Sequence, residues 1–301
     1  MPNSQYLIRA KKVRMYYDPR GQVVKTENPD GTQQQVLFGV PNNITDPPAT
    51  PLVRNKHQST PWESYTYDAN DLAPRSHPGQ LAAETGVNPN HHWTPSSSLL
   101  DPLGRTIKTV DRNGSQIADE VVMQYEFDIR GNLLKVTDAL GRTAFTHVYD
   151  LKPKGESEED KGANILKTTH IDSGTKTALF DAAYRPTELR DAKGALILHG
   201  YDELNRPTRI WARDNDSEDV TLRQKLIYGD DTTDGPSIPT DTNHLGKLYQ
   251  HYDEAGKVTM DGYDFKGNLL EKTRKVISDA ELLSVFGGGT IDCYRVDWGT
   301  S

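Results

Sequence analysis

His91 and His92 stand side by side before Trp93, and imidazole is the commonest metal-ligating side chain. Neighbours in a strand point to opposite faces, however, so a pair in direct succession seldom serves one metal ion. We therefore expect these residues to pack. Cys293 is the one cysteine, which excludes an intrachain disulfide framework and a cysteine-rich zinc site. Thiolate chemistry needs a positioned base, and nothing in the sequence sets one beside Cys293, so an inert, partly buried thiol is expected. Trp62, Trp93, Trp211 and Trp298 have faces that suit sugar rings, but packing accounts for large aromatic side chains in a sheet. Calcium is the remaining candidate, because aspartate recurs along the chain. Calcium needs several oxygens at once, each repeat offers a single Asp, and the EF-hand and nonapeptide spacings are absent. No catalytic, cofactor-binding or metal site is assigned on these residues.

The recurring aspartate has a second chemistry, that of the turn. "YEFDIRGNLLKVTDALGR" places Asp128 three residues before Gly131 and Asp138 three residues before Gly141. An Asp carboxylate accepts hydrogen bonds from backbone N–H groups just ahead of it, and glycine takes positive φ without steric strain. Between the two copies lies "NLLKVT", long enough for one short strand. The unit is turn, strand, turn, too short to hold a crossover helix. It recurs in "YYDPRGQVVKT" (Asp18, Gly21), "LLDPLGRTIKT" (Asp101, Gly104), "LRDAKGALI" (Asp191, Gly194), "HYDEAGKVT" (Asp253, Gly256) and "GYDFKGNLLEKT" (Asp264, Gly267). In "LFDAAYRPTEL" Tyr184 takes the glycine slot after Asp181, and in "GYDELNRPTRI" Asn205 takes it after Asp202. Asn is the non-glycine residue that best tolerates the left-handed region. This internal repeat predicts an all-β fold, a curved antiparallel sheet, with positive φ at Gly131, Gly141, Gly194, Gly256 and Gly267.

The whole chain is expected to form a single β region over residues 1–301. Residues 13–38 read as the first hairpins, 39–100 as irregular excursions rich in Pro, Asn and Thr, and 101–277 as the regular repeat array. Solvated loops interrupt the array at 152–162 and 229–246. Residues 278–301 form a tail, with one short helix near 279–286 capped by Ser278 and Glu281 and stopped by Gly287 to Gly289. Hydrophobic residues make up 34% of the chain, low for a compact domain, and mean hydropathy is −0.73. A single-layer sheet wetted on both faces needs less apolar material, and 14 Tyr against 6 Phe suits it. Net charge is −8 and no basic run stands out, which disfavours nucleic-acid partners. No stretch approaches the length of a membrane span. The amino-terminal segment has basic residues after its short apolar piece, the reverse of a secretory signal, so any secretion is expected without a signal peptide.

Tyr-Asp-x-x-Gly-Arg/Asn followed by an aliphatic strand resembles the YD repeat of RHS proteins. "RMYYDPRGQVVKTENPDGT", "TPWESYTYDANDLAPRSHP", "HHWTPSS" and "YDELNRPTRIWARD" extend the match, and from about Arg14 to Trp298 the chain resembles the RHS region of component B of insecticidal Tc toxin complexes. The resemblance implies a fragment of a hollow shell that encapsulates a toxic C-terminal polypeptide, with no catalysis of its own. It implies as partners the adjoining toxin-complex segments, an SpvB-like propeller and an RHS core, together with the encapsulated polypeptide. Location would be secreted or extracellular within the complex, and cytoplasmic before release. "DPLGRTIKTVDRNG" matches only the first four residues of the RHS self-cleavage pattern, since Ile107 and Lys108 stand where Asp-Gly is needed. The alternative is a YD-repeat cell-surface adhesion or carbohydrate-binding module.

Overall fold

The computed structural model describes residues 12–49, 54–78, 91–114, 116–151, 163–277 and 295–299. The expected helix near 279–286 and Cys293 lie outside these residues. Among the described residues strands dominate: eighteen stand in antiparallel sheet pairings, and two more form a small separate ladder. The all-β antiparallel expectation is met. The chain divides into two compact units, residues 1–146 and 147–301.

In the first unit β1 (Arg14–Tyr17), β2 (Val23–Glu27) and β3 (Gln33–Phe38) form consecutive hairpins. The chain then leaves the sheet through the short β4 (Val40–Pro41) and β5 (His57–Gln58), which pair with each other. It returns as β6 (Glu63–Tyr67), β7 (Ser96–Leu100), β8 (Thr106–Arg112), β9 (Glu120–Phe127), β10 (Leu133–Thr137) and β11 (Thr143–Tyr149). β3 pairs with β6, and pairing then follows chain order to β11. Strands β3 and β6 and the excursions that follow each of them share a small core. Leu37, Tyr65, Tyr67 and Leu72 form a buried cluster with Val40, Ile44 and Trp93 packed against it. Tyr67 is fully buried and its hydroxyl donates to the Ile44 carbonyl at 3.2 Å, which ties the excursion to β6.

The second unit is a meander throughout. β12 (Ile165–His170), β13 (Gly174–Phe180), β14 (Pro186–Arg190), β15 (Leu196–Tyr201) and β16 (Pro207–Arg213) pair in succession. β17 (Thr221–Tyr228), β18 (Leu248–Asp253), β19 (Gly256–Tyr263) and β20 (Leu269–Val276) continue the order. Few side chains are buried, and every residue of β20 is exposed. The register slips by one residue where the aromatic residue ahead of a turn Asp meets the next strand: Phe180 opposite Pro186, Tyr201 opposite Pro207, Tyr263 opposite Leu269. Each slip is a bulge, which raises local twist.

Candidate functional site

The Asp-x-x-Gly unit folds into a five-residue clasp. At Asp128 the amide donates to the Asn132 carbonyl at 2.9 Å, and the Gly131 amide donates back to the Asp128 carbonyl at 3.1 Å. One carboxylate oxygen, Oδ1, accepts the Arg130 and Asn132 amides at 2.8 Å each, while Oδ2 accepts Asn132 Nδ2 at 2.8 Å. Arg does what Asn does here: Arg142 Nε reaches Asp138 Oδ2 at 2.8 Å, and Arg206 Nε reaches Asp202 Oδ2 at 2.7 Å. So the residue after the glycine slot closes the turn with its side chain, which explains the Arg/Asn preference at that position. The Arg142 side chain and then its amide hold the Asp138 carboxyl below the usual carboxylate range. At Asp181 the Arg185 amide comes first and its guanidinium second, with the same result. With both oxygens filled by N–H donors, these carboxylates stabilise turns.

Positive φ falls where the repeat asks for it: Gly131 (91°), Gly141 (74°), Gly194 (86°), Gly256 (130°) and Gly267 (91°). Asn205 (67°) and Tyr184 (61°) occupy the same slot in their copies. Asp253 departs from the expected geometry. It pairs directly with Gly256 across a two-residue hairpin, and its Oδ1 accepts only the Ala255 amide, at 2.8 Å, from its own turn. Arg274 of β20 takes the carboxylate at 2.7 and 2.8 Å, so the copy is claimed by the next strand but one. A further clasp was not read from the sequence. Asp150 and Asn164 make the same contacts, amide to Oδ1 at 2.9 Å and Nδ2 to Oδ2 at 2.8 Å, with thirteen residues between them in place of three.

The clasps are linked sideways by the aromatic residue that ends the strand leading into a turn, directly before Asp in Phe127 and Tyr201 and one glycine further back in Tyr228. Within the second unit the Arg185 guanidinium lies 4.3 Å from the Tyr201 ring centre, and the Tyr201 hydroxyl donates to the Pro186 carbonyl at 2.8 Å. Arg206 repeats this on Tyr228 at 4.0 Å, whose hydroxyl reaches the Pro207 carbonyl at 3.1 Å. Arg206 also binds both oxygens of Asp230, at 2.8 and 3.0 Å. In the first unit Arg105 stacks on Phe127 at 4.9 Å and donates to the Asp128 carbonyl at 2.9 Å. Tyr-Asp and Arg thus form a chain of contacts from one turn to the turn two strands on. Each cation–π contact contributes about 0.5–1 kcal/mol at such partly exposed sites.

His91 is exposed and His92 half-buried. Trp93 lies over the apolar cluster with Arg75 stacked at 5.6 Å. Trp211 covers Gly200, where a Cβ would come within 3.0 Å of the ring. Trp298 Nε1 donates to the Asp253 carbonyl at 3.2 Å, and its ring meets Tyr252 edge-on at 5.0 Å. Trp62 is 45% exposed. Among the described residues no three His, Cys, Asp or Glu side chains come together as a metal site, and no helix is long and apolar enough to cross a membrane. No pattern in the sequence announces a Ser–His contact in the excursion after β3: Ser59 Oγ sits 3.1 Å from His57 Nε2. Among the described residues His57 Nδ1 is buried without a partner, so none of their carboxylates orients the ring as a hydrolytic triad requires.

No family model matches the chain. Among curated proteins it is 26% identical over 174 residues to Toxin subunit YenC1 of Yersinia entomophaga, covering 55% of this chain and 17% of that protein. Among solved structures it matches a chain of the Photorhabdus luminescens Tc holotoxin pore at a TM-score of 0.60 and 21% identity, over 89% of this chain and 11% of the other. The TcdB2–TccC3 crystal structure matches at a TM-score of 0.61 and 21% identity, over 95% of this chain and 12% of the other. The chain therefore spans less than a fifth of the length of the relatives it matches. The resemblance read from the repeats holds in sequence and in fold: this chain resembles the RHS region of a Tc toxin component.

Proposed function

We propose that the chain is a section of the wall of a toxin-complex shell, and that the wall encloses a toxic polypeptide. The observation that carries this reading is the clasp-linked meander. It builds a sheet from local turn contacts, needs little core, and leaves most side chains on both faces open to neighbours. Its action is steric and interfacial, without turnover of a substrate. The adjoining segments of the complex, a propeller and the remaining RHS core, would pair with this section and complete the enclosure. Release outside the cell follows from membership of such a complex. Protection from protease tests the proposal: a toxic polypeptide co-expressed with this chain and its adjoining segments should survive digestion, and should lose that protection when residues 101–277 are deleted. A polypeptide digested equally fast in both preparations would count against enclosure. Saturable binding of the isolated chain to an oligosaccharide array would favour the adhesion reading instead.

A further inference from the structure

We propose that the start of β17 is a docking seat for a short Arg-x-Asp-Trp segment, filled here by residues 295–299 and able to take the same segment from a second copy of the chain. The seat exists because β18 stops short of β17. Their ladder begins at Lys225 opposite Tyr252, so Leu222 extends past it on that side, while it pairs with Trp211 of β16 on the other. Leu222 is buried, and its backbone groups need partners. The segment supplies both. Asp297 Oδ1 accepts the Leu222 amide at 3.1 Å, and the Trp298 amide donates to the Leu222 carbonyl at 3.0 Å. The indole then stands edge-on to Tyr252 and donates to the Asp253 carbonyl. Arg295 meets the Asp214 carboxylate and lies 3.8 Å from that of Glu218, and the buried Arg223 shares the same two acids at 3.6 and 3.7 Å. Cation, acid and indole each have a dedicated partner, so the seat reads a sequence and not only a strand edge. All of these contacts join segment and seat directly. The 17 residues from 278 to 294 connect the segment to β20 and can span at most about 60 Å. That reach admits the seat of an adjacent copy as well as its own, and exchange of an identical element keeps every contact at little cost.

The probe is the octapeptide of residues 294–301, Tyr-Arg-Val-Asp-Trp-Gly-Thr-Ser, which stands for the segment of a second copy. Ligand-observed NMR follows its titration into the full chain and into a full chain carrying Arg295→Ala and Trp298→Ala. The substituted chain should bind it saturably, with a dissociation constant below about 1 mM. The unaltered chain should bind it about tenfold more weakly, because its own segment competes at millimolar effective concentration. An octapeptide carrying Trp298→Ala should show no saturation with either protein, since the buried aromatic anchor is gone. Comparison of the two peptides on the unaltered chain keeps the test independent of whether the substituted chain folds. No saturable binding to either protein, or a scrambled octapeptide that binds as well as the parent, would overturn the assignment.

Discussion

Replacement of Asp202 by Ala isolates the energetic content of one clasp. Its Oδ1 accepts the Arg206 amide at 2.8 Å and its Oδ2 accepts Arg206 Nε at 2.7 Å. Both side chains are only about one-fifth exposed, at 22% and 21%. A backbone amide left without its acceptor costs about 1 kcal/mol, and the charge-assisted bond about 1.5–3 kcal/mol before solvent screening. Arg206 keeps Asp230 and the Tyr228 ring, so it is not stranded. The net loss should be about 2–3 kcal/mol. Asp191 supplies the internal control. Its Oδ1 accepts the Lys193 and Ala195 amides at 2.8 and 3.0 Å, but alanine at the closing position gives Oδ2 nothing from its own turn. Asp191→Ala should therefore cost about 1 kcal/mol less than Asp202→Ala. Urea unfolding followed by Trp fluorescence measures both, and a cycle with Arg206→Ala should return a coupling of about 1–2 kcal/mol. Equal losses at Asp191 and Asp202, or additivity with Arg206→Ala, would refute the clasp as a charge-closed turn.

Gly131→Val should cost about 1–2 kcal/mol, because φ of 91° there strains any branched residue, and urea midpoints would show it. Tyr184→Gly should gain about 0.5–1 kcal/mol by release of left-handed strain at φ 61°; a loss in the same assay would mean that the contacts of the ring outweigh the backbone. The clasp carboxyls of Asp138 and Asp181 are held below the ordinary carboxylate range, so their contribution is complete above the unfolded pKa and disappears as pH falls through the lower folded values. Stability measured against pH should be insensitive to these groups from neutrality to about pH 5 and decline below about pH 4. A midpoint that rises on acidification would reverse the sign.

The spacing of Asp and Gly made the turns and the meander legible, because both depend on residues at most four positions apart. Asn205 in the glycine slot was readable for the same reason. The Asp150–Asn164 clasp was hidden, since an insertion separates partners that are otherwise adjacent. Arg185 on Tyr201 and Arg206 on Tyr228 join turns two strands apart, and neither residue type announces such a contact. Asp253 carries the local pattern and still departs from it, because Arg274 from β20 takes its carboxylate. The small core around Leu37 and Tyr67 was likewise unreadable: Leu37 comes from β3 and Tyr65 and Tyr67 from β6, while Leu72, Ile44 and Trp93 reach them from excursions that looked irregular. His57 and Ser59 sit in that same region, in a segment with no periodic pattern.

The most direct test of the wall reading is light scattering on the chain purified alone and after co-expression with the adjoining toxin-complex segments. β1 pairs only with β2 and β20 only with β19 among the described residues, and strands with unpaired edges seek neighbours. The isolated chain should self-associate at tens of micromolar, and should form a defined stoichiometric complex once those segments are present. A stable, monodisperse monomer in both preparations would contradict it.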